Sequence, residues 1–116
     1  KRGQGSSNKQ KEKHTVFFIT CFEKCKMDVA TGMSDMGDTR TVGYYEDFET
    51  CRRALHENRC DVHEFMYEYA VVECIAPGIY SGAKEIEWFQ WDNERGGFFE
   101  IPKPQCTYGC CNYALG

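Results

Sequence analysis

The sequence lacks any apolar run long enough to cross a bilayer. Its longest uninterrupted apolar stretch, Val16 to Ile19, is the length of a short strand, whereas a transmembrane helix needs about 18 or more apolar residues. An N-x-S/T glycosylation acceptor, a phosphate-binding G-x-x-x-x-G-K-[S/T] loop and internal repeats are also missing. These absences argue against a membrane-spanning protein and a P-loop nucleotide enzyme, and they weigh against a secreted glycoprotein.

The chain contains many aromatic and cysteine residues, and its length is typical of a single domain. It contains 116 residues, of which 41% are apolar and 15% are aromatic, together with eight cysteines. A chain of this length typically folds as one domain and buries about two thirds of the surface that it exposes when unfolded. We therefore expect a globular core rather than general disorder.

Charge is distributed unevenly along the chain. Within residues 1–14, five lysines and arginines stand against one glutamate and give +4; since the whole chain carries −4, the remainder carries −8. Residues 1–14 are predicted to form a disordered basic arm, and residues 15–116 a single domain. An acidic domain argues against nucleic acid as the partner, because nucleic-acid binding needs a basic face.

Hydrophobic patterning predicts five strands and one main helix. The strands are expected at about 15–22, 40–45, 67–75, 85–91 and 98–101, with a methionine-rich loop over 23–39. A helix is expected to begin after Asp47 and to bury a stripe formed by Phe48, Cys51, Ala54 and Leu55. Asn58 is a suitable left-handed stop, and a capping box at Asp61 and Glu64 predicts a helical turn at 61–66.

This order of elements predicts an α+β fold. We expect an antiparallel or mixed sheet of four to five strands, with the main helix packed on one face. Gly43, inside the second predicted strand, marks a β-bulge or a close approach to the backbone.

The cysteines admit three uses. Cys21, Cys51 and Cys74 fall at positions where small apolar residues belong, which favours reduced core thiols. The alternative is a secreted protein with four disulfides. A zinc site is not favoured; if one exists, its ligands would be Cys21, Cys25, Cys106 and Cys110. No cofactor is expected.

Catalytic groups are sparse. His63, next to Asp61, is the one histidine worth testing as a base, and a solvated helix face explains it equally well. Glu85 and Glu87 share one strand face, where exposure to solvent accounts for them. We therefore expect a protein that is not an enzyme, with a small pocket around Asp61 and His63 as the competing hypothesis.

The most distinctive surface candidate is the last predicted hairpin. It concentrates large aromatic residues beside acidic ones, and aromatic anchors dominate binding energy at interfaces. The candidate binding residues are Trp88, Trp91, Phe98, Phe99, Glu85 and Glu87. A protein partner or a second copy of the chain would cover the exposed members. Alternatively, the helix covers one face of this hairpin and the tail covers the other.

The chain resembles a set of small uncharacterised proteins from gut Firmicutes and their phages and integrative elements. The resemblance is carried by a first strand like 16–21, by the ending Asn112–Gly116, and by the strings RTVGYY (40–45), YEYAVVE (67–73), GIY (78–80) and WFQW (88–91). The cysteine-rich tail and the basic arm depart from that pattern. The resemblance implies no activity, but it does imply a bacterial cytoplasm and reduced thiols.

The expected function is binding rather than catalysis. We expect an intracellular accessory protein of a bacterial phage or mobile element that binds a protein or a ligand. The alternative is a secreted, disulfide-rich effector or inhibitor that binds a host protein. Neither hypothesis places the protein in a membrane.

Overall fold

The computed structural model describes residues 15–24, 26–28, 33–35, 37–104 and 112–115. The predicted arm, 1–14, lies outside these residues. Within the described ranges the chain forms β1 (Val16–Glu23), β2 (Lys26–Asp28), β3 (Met33–Asp35), β4 (Thr39–Tyr45), α1 (Phe48–His56), a 3-10 helix (Arg59–Asp61), β5 (Tyr67–Ile75), β6 (Ala83–Asp92) and β7 (Gly97–Ile101). No helix in this part of the chain has the length and hydropathy that a membrane crossing requires.

The main sheet is antiparallel throughout and has the strand order β4-β1-β5-β6-β7. The expected α+β fold, with a sheet of five strands and one main helix, is confirmed. β1 and β5 take interior positions because both present apolar residues to both faces. The expectation of an unstructured loop over 23–39 is wrong in part, because β2 and β3 pair there as a small separate sheet.

Helix α1 begins and ends as its sequence predicts. The Asp47 side chain accepts a 2.8 Å hydrogen bond from the Thr50 amide, which satisfies a donor of the first turn. The stripe of Cys51, Ala54 and Leu55 is buried against the sheet. Asn58 follows in the left-handed conformation, with φ of 51°.

The predicted helical turn at 61–66 is wrong. Asp61, Glu64 and Phe65 all have positive φ, between 50° and 58°, so the backbone turns repeatedly instead of winding. The Asn58 side chain supplies the physical reason, because its oxygen accepts from the His63 amide at 2.9 Å and its nitrogen donates to Asp61 at 3.2 Å. Such local side-chain bonds compete with helix formation.

The two faces of the sheet are covered by different parts of the chain. Under α1 lies the larger core, in which Ile19, Cys21, Cys51, Leu55, Tyr67, Ala70, Val72, Phe89 and Phe98 are buried. On the opposite face, Phe22, Val71 and Trp88 pack against Tyr113 of the segment 112–115. The alternative in which helix and tail each cover one face therefore describes the structure.

Segment 112–115 is fixed by a buried carboxylate. Glu73, only 1% exposed, accepts hydrogen bonds from the backbone amides of Tyr113, at 2.9 and 3.1 Å, and Ala114, at 3.1 Å. The Thr41 hydroxyl donates to the Ala114 carbonyl at 2.9 Å. Burial raises the pKa of Glu73. The hydrogen bonds from the two amides lower this pKa, and the negative charge of Glu85 raises it further.

Candidate functional site

The aromatic hairpin is divided between the two cores and the surface. Phe98 is wholly buried under α1, and Trp88, 4% exposed, lies under Tyr113 on the other face. Trp91 and Phe99 are partly exposed. A partner docking on the folded domain therefore reaches only the second pair.

The two partly exposed aromatics already have ring partners. Trp91 stacks on the His63 imidazole, with ring centroids 3.7 Å apart and planes within 4°. Phe99 is stacked on His56 at 4.5 Å, and the Arg95 guanidinium lies 3.7 Å from its ring centroid. These contacts account for both aromatic residues within the fold.

The expectation that Glu85 and Glu87 share one strand face is wrong. An irregularity in the β5–β6 register places Glu85 opposite Glu73 and Glu87 opposite Val72, and these two β5 residues face opposite sides of the sheet. Glu85 accepts from the Trp88 indole N–H at 2.9 Å and from the Lys103 ammonium at 3.2 Å, so it fixes side chains of its own sheet. Glu87 is half-buried and lies opposite Val72 in the β5–β6 register. The structure does not bring these carboxylates together with a cationic or nucleophilic group of recognisable catalytic geometry.

His63 is accounted for by packing. Its stacking on Trp91 places the imidazole against apolar surface, and this burial lowers its pKa, while the charges of Asp61 and Glu68 act in the opposite direction. The Asp61 carboxylate accepts a hydrogen bond from Asn58. A pair of Asp61 and His63 acting as a base thus finds no geometric support.

The four described cysteines differ in exposure. Cys21 and Cys51 are completely buried free thiols, and burial raises the pKa of each to about 12. Cys74 is only half-buried, which corrects the expectation that it is a core residue, and Cys60 is exposed. The zinc ligands considered from the sequence are outside the described residues except for Cys21, and the described part of the chain contains no cluster of three metal-ligating side chains.

The feature that sequence reasoning missed is a groove between β4 and α1. Its volume is about 360 Å³, which falls in the usual range for ligand-binding clefts. It is lined by Ile19, Arg40, Thr41, Val42, Gly43, Tyr44, Tyr45, Ala54, Leu55, Arg59, Cys60, Val62 and Glu64. We call it the β4–α1 groove.

The β4–α1 groove exists because a side chain is missing from the strand. Gly43 pairs with Ile19, whose side chain faces α1, so a side chain at position 43 would point to the same side. A Cβ built at Gly43 would meet no atom within 4 Å. A bulge in the β1–β4 register lies directly beside it. Glycine and a bulge together mark a strand position that another backbone or a ligand approaches closely.

The floor of the groove is apolar and its rim is charged. Ile19, Ala54 and Leu55 are buried beneath it. At the rim, the Arg40 guanidinium lies 3.6 Å from the Glu64 carboxylate, and both side chains are exposed.

A second arginine borders the groove. Arg59 donates to the Tyr45 hydroxyl at 3.2 Å and is paired with Glu57 at 3.1 Å. The pKa of Arg59 is raised by these two contacts, which keeps its charge firmly in place. An apolar floor between fixed charges suits recognition of an amphipathic segment rather than proton transfer.

Comparisons of the chain with protein-family models, with curated proteins and with solved structures found no match.

Proposed function

We propose that this chain is a protein-binding module without enzymatic activity, and that the β4–α1 groove is its binding site. The observation that carries the proposal is the open space at Gly43, above the apolar floor of the groove, which no residue in the described part of the chain fills. The groove therefore has the character of a surface kept open for another molecule.

The charged rim supports binding over catalysis. The two arginines that border the groove, Arg40 and Arg59, are each paired with a glutamate. A catalytic base or nucleophile needs a perturbed group directed at a substrate. The two thiols with strongly raised pKa values, Cys21 and Cys51, are buried and are predominantly protonated near neutral pH.

The proposal includes an intracellular role as an accessory protein of a bacterial phage or mobile element. Its support is the resemblance described above and the complete burial of Cys21 and Cys51 as free thiols, which are core positions and not surface bridges. Alkylation of the natively purified chain, unfolded without reductant, tests the compartment. We expect all eight cysteines to be modified. A chain whose cysteines resist alkylation until a reductant is added would instead favour the secreted effector.

The groove is tested by filling it. Gly43→Phe adds a ring where a Cβ meets no atom within 4 Å, and Gly82→Phe is the matched control, because position 82 is equally open and lies away from the groove. Neither glycine has a positive φ, so both variants are expected to unfold at the wild-type temperature. Proteins of a bacterial lysate retained by the immobilised wild type are identified and quantified for each variant.

We expect Gly43→Phe to reduce the retained partner at least tenfold and Gly82→Phe to leave it unchanged. If Gly43→Phe fails to fold, Cys60→Trp fills the groove from an exposed position on its rim. Equal retention by the wild type and the filled variants would refute the groove as the binding site. Light scattering at several concentrations measures whether the retained partner is a second copy of the chain.

A further inference from the structure

We propose that the β4–α1 groove receives an extended acidic peptide segment of the partner protein, which adds to β4 as a sixth strand of the main sheet. The inference rests on the proposed function and specifies its partner. Three independent features of the groove point to this occupant: the free edge of β4, the opening at Gly43 and the charge of the rim.

The edge of β4 is the first feature. β4 is the terminal strand in the order β4-β1-β5-β6-β7, and no other described strand pairs with its outer edge. Residues 40 to 45 all line the groove, so the strand borders it over most of its length rather than at one point. An open edge presents unpaired backbone N–H and C=O groups, which an added strand satisfies. A small molecule would leave most of these groups unused.

The opening at Gly43 is the second feature. An added strand places alternate side chains on the α1 face of the sheet. One of them would enter the space above Ile19 that a side chain at position 43 would otherwise occupy. The buried Ile19, Ala54 and Leu55 below this space favour an apolar side chain there. Peptide recognition by strand addition obtains its specificity from such pockets for alternate side chains.

The charge of the rim is the third feature. The groove is lined by two arginines and one glutamate, whereas the chain as a whole carries −4. The Arg40 side chain is 64% exposed and lies 3.6 Å from the Glu64 carboxylate, so its positive charge is accessible from solvent. Complementary charge would steer an acidic segment to this side of an otherwise acidic protein.

The test is a selection of random seven-residue peptides, by display, on the full-length chain. Wild type and Gly43→Phe are used in parallel, and the recovered peptides are synthesised with a fluorophore for anisotropy titrations. We expect peptides that the wild type enriches over Gly43→Phe to alternate apolar residues with glutamate or aspartate. N-methylation of the alternate amides that face β4 should weaken binding at least tenfold, because each methyl group removes a ladder hydrogen bond.

Arg40→Gln tests the charge. We expect it to weaken the acidic peptides about fivefold at low salt, with a smaller effect at high salt because exposed charges are screened. Arg53→Gln is the matched control, since this exposed arginine of α1 is not part of the groove lining. It should leave the affinity unchanged.

The outcomes separate this inference from the proposed function. Any of three results would overturn strand addition by an acidic segment. The selected peptides could be basic or neutral, they could tolerate N-methylation, or none of them could depend on Gly43. A lysate partner that is still lost with Gly43→Phe would then leave the binding function intact. Loss of neither peptides nor lysate partner on filling the groove would overturn both.

Discussion

Replacement of Glu73 should change the pH dependence of stability in a direction that the structure fixes. Among the residues that the structure describes, the hydrogen-bond donors to the Glu73 carboxylate are the backbone amides of Tyr113 and Ala114, and neither is a cation. Burial raises its pKa above the ordinary value of 4.5, so the folded chain binds the proton more tightly than the unfolded chain. The stabilisation linked to this group is complete below pH 4.5 and is lost as the pH rises through the raised folded-state pKa.

Two substitutions separate charge from shape. Glu73→Gln keeps the volume and one acceptor oxygen for both amides but cannot ionise, so its stability relative to the wild type should rise from pH 4 to pH 8. Each unit by which the pKa of Glu73 is raised contributes about 1.4 kcal/mol to that rise. Glu73→Ala removes the acceptor and leaves a cavity, which should cost about 4 kcal/mol unless segment 112–115 detaches.

The assay is urea unfolding at pH 4 and pH 8, followed by tryptophan fluorescence, because Trp88 packs against Tyr113. Amide hydrogen exchange at Tyr113 and Ala114 reports directly on whether the segment stays bound. Glu87→Gln is the control, since it removes the same charge from the neighbouring strand. If the Gln variant gained no stability over the wild type between pH 4 and pH 8, or lost it, the account of Glu73 as a buried carboxyl group with a raised pKa would be wrong.

Three further predictions concern α1 and the thiols. Gly97→Ala should lose about 3 kcal/mol in the same urea assay, because its Cβ would overlap the backbone carbonyl of His56. Asp47→Ala should lower the melting temperature near neutral pH. The Thr50 amide depresses the pKa of the Asp47 carboxyl, so this group stabilises the fold only while it is ionised. The difference in melting temperature should therefore vanish as the pH falls well below 3.8. In native alkylation mapped by mass spectrometry, Cys60 should react promptly and Cys51 only on unfolding.

Patterns local in sequence predicted the elements well. The apolar stripe of α1 and the cap at Asp47 lie within a few residues of each other, so their sequence spacing determines their contacts. The apolar runs of β1 and β5 likewise predicted interior strands. The predicted helical turn at 61–66 is wrong because side-chain hydrogen bonds from Asn58 compete with the capping box at Asp61 and Glu64. The sequence spacing of these residues does not reveal the Asn58 bonds.

Contacts distant in sequence were beyond prediction. Glu73 meets the Tyr113 amide across 40 residues, and nothing in the strand around it marks a buried acid. Alternation along a strand divides the aromatic residues of β6 and β7 between two faces, but it does not show whether both faces are covered. The β4–α1 groove had one local signal, Gly43 within a strand, and its meaning depends on where α1 lies.

The glycines of the two edge strands, Gly43 in β4 and Gly97 in β7, differ in how closely α1 approaches them. Five strands at a spacing of about 4.8 Å span roughly 19 Å, whereas one helix covers about 10 Å. The end of α1 is held toward β7, since the His56 imidazole N–H donates to the Glu100 carboxylate at 3.0 Å and only a glycine at 97 admits the His56 carbonyl. At the other edge of the sheet the same helix also contacts β4, but it leaves a Cβ at position 43 with no atom within 4 Å. Close packing at one glycine and empty space at the other are therefore two consequences of the same helix placement.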